Sequence, residues 1–339
     1  MRRLIGLLVV GLLASNQVWS QDIQFSQFYA APLYLNPAFA GSTELARAGI
    51  NYRNQWPTIP ANFVTYSAYF DYFFDDYNSG LGILMVSDQA GNEGLRSNSV
   101  ALQYAYQLPL TDKLSLRAGM EGGVVFRDLD FSRLIFGDQL DYTGIINGTS
   151  NEQFNNDYKT SYFDLSAGTM LYSDKFWLGF SVHHLIEPNV SIINLNDPLP
   201  RKYSIHGGYK ILLPTKTDLS YRQGYREKSI TPAFQYKSQG QFSQMDLGMY
   251  FNYEPLVTGI WYRGVPVNSV EGIANHESII LLLGVSVNGL NIGYSFDYTL
   301  SALSVRTGGA HEISISYAFF LGDPRKPPKN VRRIPCPRF

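Results

Sequence analysis

The sequence predicts an all-β protein, a transmembrane antiparallel β-barrel of about 14 strands. Three observations point there. Stretches such as LNIGYSFDYTLS (Leu290–Ser301) alternate strictly, with Leu290, Ile292, Tyr294, Phe296 and Tyr298 on one parity and Asn291, Gly293, Ser295, Asp297 and Thr299 on the other. Charged residues are only 16 % of the 339-residue chain, whereas aromatics reach 14 % with 24 Tyr and 21 Phe. That balance suits an outside that meets lipid tails and interfacial girdles rather than water. Finally, the chain opens on an export leader and then lacks any apolar run of the ~18–20 residues that a membrane-crossing helix requires.

The leader is residues 1–20. Arg2 and Arg3 form its basic start, Leu4 to Ala14 its short apolar core, and Val18 and Ser20 flank a cleavage site that leaves Gln21 as the mature end. No Cys follows that site, so no lipid anchor is expected. The single cysteine, Cys336, rules out a disulfide framework and a cysteine zinc site. A net charge of -1 gives no basis for a nucleic-acid partner.

Residues 21–45 precede the first strand. Phe25, Phe28, Tyr29, Tyr34 and Phe39, with Leu33 and Leu35, make this segment too aromatic to leave in water. Pro32 and the Asn36–Pro37 pair prevent a continuous helix. It is expected to enter the barrel as a plug, or to form a docking surface beneath the membrane.

The barrel itself is expected over residues 46–321. Alternation marks ribbons at Ala46–Asn54, Phe63–Asp71, Gly80–Ser87, Ser97–Leu108, Leu114–Asp128, Lys159–Tyr172 and Phe176–Leu185. It continues at Lys202–Leu213, Ile230–Ser238, Gln244–Tyr253, Leu256–Arg263, Ser278–Val287, Leu290–Thr299 and Ala310–Leu321. On one parity lie Arg47, Arg53, Asp71, Arg117, Glu121 and Asp164, followed by Asp246, Asp297 and Glu312. Arg127, His183, His206 and Lys210 share that parity. So many ionisable groups would be prohibitive inside a dry sandwich, but in a lumen they can pair and hydrate. The opposite parity carries Leu281, Leu283, Val285, Met249 and Phe251, which want hydrocarbon. The polar face is therefore the inside, and closure leaves no unpaired edge in lipid.

Short connections (PLTDK, SDK, EP, NG) alternate with longer ones, the arrangement of periplasmic turns and outer loops. An even strand count puts both termini on the periplasmic side. The longest outer connection, Asp128 to Lys159, includes Leu134, Ile135, Phe136, Ile145 and Ile146; it could grip a cargo or merely cover the mouth. Pro214–Lys228 interrupts the pattern.

The tail, residues 322–339, is proline-rich and basic, with Arg325, Lys326, Lys329, Arg332, Arg333 and Arg338 before the closing Phe339. An extended basic chain suits docking on a periplasmic partner, or simply stays solvated. Cys336, between prolines, is either a reactive thiol or a spectator.

Catalysis and cofactors find no support. Asp75, Asp76 and Asn78, like Asp88, Asn92 and Glu93, lack the spaced ligands of a cation loop and read as turns. His183 and His184 are adjacent in a strand and so should face opposite sides, which precludes a shared metal. No nucleophile elbow or phosphate loop is present.

Four segments carry a family likeness: FSQFYAAPLYLNPAFAG (Phe25–Gly41), GYSFDYTLS (Gly293–Ser301), HEISISYAFF (His311–Phe320) and RRIPCPRF (Arg332–Phe339). Together, on a leader-bearing barrel, they resemble the PorP/SprF family of the type IX secretion system. The resemblance implies a non-enzymatic outer-membrane component of secretion and gliding motility. It also implies partners: periplasmic ring proteins of the PorK/PorN type, and an adhesin-like cargo bearing a C-terminal sorting domain. Composition alone leaves a second reading, a diffusion channel or a transporter of small hydrophobic solutes.

Overall fold

The computed structural model describes residues 22–59, 62–91, 94–130, 137–141, 144–145, 158–192, 195–214, 227–270, 273–300, 307–321 and 334–336. Fourteen strands close into one antiparallel barrel. The first half comprises β1 (Ala46–Gln55), β2 (Phe63–Phe74), β3 (Ser79–Ala90), β4 (Leu95–Thr111), β5 (Leu114–Leu129), β6 (Lys159–Tyr172) and β7 (Phe176–His183). The second comprises β8 (Lys202–Tyr209, resumed at Ile211–Leu212), β9 (Lys228–Gln239), β10 (Phe242–Tyr253), β11 (Leu256–Val270), β12 (Ile273–Val287), β13 (Leu290–Thr299) and β14 (Ala310–Phe319). Each strand pairs with its sequence neighbours, and β1 closes on β14 with Arg53 opposite Glu312. No helix among the described residues is long and apolar enough to cross a membrane.

Every expected ribbon is a strand. The hairpin of β11 and β12 differs in extent: the expected loop GVPVNSVEGIANHE is mostly strand, with register shifts at Arg263/Gly264 and Val265/Ser269. β11 runs to Val270 and β12 begins at Ile273, so this connection is short. Between β5 and β6 the described part includes a small ladder that pairs Leu140 with Ile145. Leu134, Ile135, Phe136 and Ile146 lie outside the described residues, as do residues 1–20, the expected leader, and most of Pro214–Lys228.

The two faces separate as the parity requires. Leu102 is 67 % exposed and Leu283 is 61 % exposed on the outside, whereas Arg263 and Glu312 are fully covered within. An outside built from side chains of that kind is matched to hydrocarbon. What covers the inside is protein: residues 22–43 run through the lumen. The path starts with Asp22 near the ends of β7, β8 and β9 where the β7–β8 loop emerges, termed here the loop end. It descends through a four-residue helix, α1 (Pro32–Leu35), and a 3-10 turn at Pro37–Phe39, and leaves at the opposite turn end to begin β1. Its Phe28, Tyr29, Leu33, Leu35, Ala38 and Phe39 form one core with Tyr69, Leu84, Val86, Trp177, Trp261, Ile280 and Leu282 of the wall. Burial of each large apolar side chain contributes about 1.5–3 kcal/mol. The lumen is thus an interior with its own hydrophobic core.

Candidate functional site

The candidate site is the contact between this inner segment and the barrel wall, and it begins with backbone geometry. Asn36 precedes Pro37 and caps the 3-10 turn, its side chain accepting from the Ala38 amide at 2.9 Å. Its amide nitrogen reaches the carbonyls of Thr169 and Phe180, each at 3.2 Å, and His206 at 3.3 Å. The chain can come so close because the wall has glycines there. A Cβ on Gly119 would stand 2.5 Å from the Ala38 nitrogen, and one on Gly168 would strike the Asn36 side chain. Below, Gly41 takes φ +71, a conformation that favours glycine, against Gly80 of β3.

Charged wall residues then collect the segment's carbonyls and amides. Arg117 donates to the Ala38 oxygen at 3.0 Å and also to the Ala40 oxygen. The Gly41 amide donates to Asp71 at 2.7 Å, and Arg47 grips the same carboxylate through two bonds of 2.9 Å. Gln103 donates to the Leu33 oxygen at 2.8 Å and also to Glu121.

Toward the loop end lies a buried ion network. Arg53 pairs with Asp297 at 2.9 Å and Glu312 at 3.3 Å, while Arg263 pairs with Asp246 at 2.9 Å and Asp297 at 3.0 Å. Its centre is Ser26, which donates its hydroxyl to Asp297 at 2.5 Å and its amide to Glu312 at 2.7 Å. The same hydroxyl accepts from Arg53 at 2.7 Å. Gln27 extends this, its amide donating to Glu312 at 3.0 Å and its side chain accepting from Ser314 at 2.6 Å. A backbone amide pair aimed at a carboxylate compensates a charge that would otherwise cost several kcal/mol.

Asp22 anchors the segment's start. It accepts from Lys202 at 2.6 Å, His184 at 2.8 Å and Gln239 at 3.0 Å. Burial alone would raise the Asp22 carboxyl, but His184 and Lys202 hold it well below the usual carboxylate range. Burial opposes protonation of His184 as well, yet Asp22 and Asp164 push it up to about 9. This corrects the expectation for the two histidines. β7 ends at His183, and His184 adopts φ 58, so its side chain turns inward beside His183 with the rings 6.4 Å apart. Pleat alternation holds only while the strand continues.

The nine charged residues expected in the lumen, Arg47, Arg53, Asp71, Arg117, Glu121, Asp164, Asp246, Asp297 and Glu312, all point inward. Phe25, Phe28, Tyr29, Asn36, Pro37 and Phe39 are buried inside the barrel, and Tyr34 is partly buried beside Phe25 at 5.2 Å. Of the tail, only Ile334, Pro335 and Cys336 are described. They turn back into the turn-end mouth, Ile334 buried and Cys336 half-buried near Tyr29, Ser42, Arg47 and Tyr69. Arg325, Lys326, Lys329, Arg332, Arg333, Arg338 and Phe339 lie outside the described residues. Sequence reading missed the roles of Asp22 and Lys202, which carry no motif, and of Ser26 and Gln27, which lie in the first family motif but were not singled out within it. It also missed the lumenal aromatics Trp177, Tyr250 and Trp261; their parity with His183, Asp246 and Arg263 of the same strands was the available signal.

The family model for the type IX secretion system membrane protein PorP/SprF matches residues 18–317. The chain belongs to the PorP/SprF family. It is therefore a type IX secretion component of the outer membrane. No curated protein sequence matches it. Among solved structures, the Ralstonia pickettii toluene transporter TbuX is 10 % identical with a TM-score of 0.48, over 86 % of this chain and 94 % of that one. Omp33 of Acinetobacter baumannii is 11 % identical with a TM-score of 0.40, over 82 % and 98 %. The P. putida toluene transporter TodX is 9 % identical with a TM-score of 0.44, over 85 % and 93 %. In this chain the segment that carries the first motif, Phe25–Gly41, is the one seated in the lumen.

Proposed function

We propose that this PorP/SprF protein is a non-enzymatic anchor of the type IX machinery, a plugged barrel that holds or helps deliver a surface cargo through its C-terminal sorting domain. The turn end faces the periplasmic ring proteins of the PorK/PorN type, and the loop end faces the cargo. One observation carries this reading. The lumen is crossed from end to end by the chain's own residues, fastened by the Ser26 ion network and the Asn36 seat. Such fastening suits a rigid plug better than a path for solutes.

The test has two arms. Native protein purified in mild detergent should bring down a cargo with a sorting domain and ring components, identified by mass spectrometry. Reconstituted wild-type protein should conduct poorly, and deletion of Asp22–Gly41 should raise small-solute conductance. A steady open wild-type pore, or saturable uptake of a small apolar solute with no co-purifying cargo, would favour the transport reading instead.

A further inference from the structure

The end of the chain comes back into the barrel that it has just closed. β14 finishes at Phe319 on the turn end, opposite Ala46 of β1. Ile334 then returns to that same mouth, 5 % exposed, and joins the core formed by Phe28, Tyr29 and Leu33 of the inner segment. Cys336 packs against the same core, half-buried. The gap left between them is about 40 Å³, little more than the space of one water molecule. Tyr29 and Ser42 line it from the inner segment, Arg47, Tyr69 and Ser316 from the wall, and Ile334 and Cys336 from the tail. Arg47 and Ser316 stand on β1 and β14, the two strands whose pairing closes the barrel.

The wall groups at this gap are ones that fasten the inner segment. Tyr69 donates its hydroxyl to the Ala30 oxygen at 3.1 Å. Arg47 reaches the Ser42 hydroxyl at 3.4 Å and grips Asp71, on which the Gly41 amide rests. Shielding from water strengthens polar contacts of this kind. The tail belongs to no strand ladder, so it can leave without unpairing a strand. What keeps it seated is chiefly the burial of Ile334, which favours the seated state by about tenfold to hundredfold. A contact of that size holds at rest and is still reversible.

We infer that Ile334–Cys336 is a releasable strap, which closes the turn-end mouth and locks the inner segment against the β1–β14 seam. The inference rests on the anchor reading only in placing this mouth in the periplasm. It is tested on the purified full-length barrel in detergent, where Cys336 is the single thiol and so reports the strap directly. A maleimide should modify the wild type slowly, Ile334→Asp about tenfold faster, and Ile334→Val at close to the wild-type rate. In Ile334→Asp, protease should also cut within residues 22–43 sooner, and single-channel conductance should rise. Ser42→Cys and Ser316→Cys each add a second thiol at the gap, and on oxidation at least one should link to Cys336. That link, added to Ile334→Asp, should restore protease resistance to the inner segment. Heat-modifiable migration on gels verifies that each variant is a folded barrel, and wild-type labelling and linking decide the seat even where Ile334→Asp fails to fold.

Modification of wild-type Cys336 as fast as a small thiol in solution overturns the inference, as does a failure of both added cysteines to link. Faster labelling of Ile334→Asp with unchanged proteolysis and conductance overturns the lock, because the tail then leaves without loosening the segment. Cargo co-purification is measured on the same samples. Cargo retained by a wild type whose tail proves unseated sinks this inference alone and leaves the anchor standing; a seated tail on a barrel that brings down no cargo does the reverse.

Discussion

Asp22 and His184 lie 162 positions apart in the chain and meet at 2.8 Å inside the barrel. His184 is raised from 6.5 to about 9 in this contact, so its contribution to the seat is complete below 6.5 and is lost as pH rises through about 9. Asp22 is depressed, so its contribution is lost only in strong acid. The inner segment should therefore be held firmly near pH 6.5 and loosen above pH 9. Single-channel recordings are expected to be quiet at the lower pH and to flicker at the higher. His184→Gln should abolish the difference; a pH-independent wild type would contradict the assignment.

The glycine seat makes a steric prediction. Gly119→Val and Gly168→Val place side chains where Ala38 and Asn36 now rest. Overpacking of this kind costs about 1–3 kcal/mol. Both variants should still migrate as folded barrels, because strand pairing is untouched, but protease should cleave within residues 22–43 far faster than in the wild type.

Removing Arg263 takes from buried Asp246 its ion-pair partner and leaves Asp297 with Arg53 alone. Arg263→Met should destabilise the protein by about 3–5 kcal/mol, read as a lower melting temperature in detergent. Ser26→Ala should be milder alone and clearly non-additive with it, since both groups act on Asp297. Strict additivity would mean that the network does not act as a unit.

On the outer face, Leu283→Arg replaces a 61 % exposed residue with a charge against hydrocarbon. The cost for a site near mid-membrane is about 2–4 kcal/mol. Insertion into liposomes should slow and the folded fraction fall, whereas Leu283→Phe should be neutral.

Much of this was legible in the chain. Alternation located each strand because side-chain period is local, and the parity of Asp297 and Glu312 identified the inside because charges are intolerable in lipid. The aromatic density of Phe25 to Phe39 was enough to expect it under cover. His184 was misread because its left-handed backbone, at φ 58, is imposed by the contacts with Asp22 and Asp164. The extension of β11 and β12 was missed because a strand that leaves the membrane loses the contrast between its two faces.

The sequence by itself determined a closed barrel, its strand order and which face meets lipid, since these follow from neighbours a few residues apart and from the chemistry of each side chain. Only the tertiary structure decided what fills that barrel. Ser26 meets Glu312 across 286 positions, and Gly119 makes room for Ala38, through contacts that no local pattern encodes. Such pairings depend on which strands closure brings round to the same depth of the lumen, and depth is a property of the folded register alone.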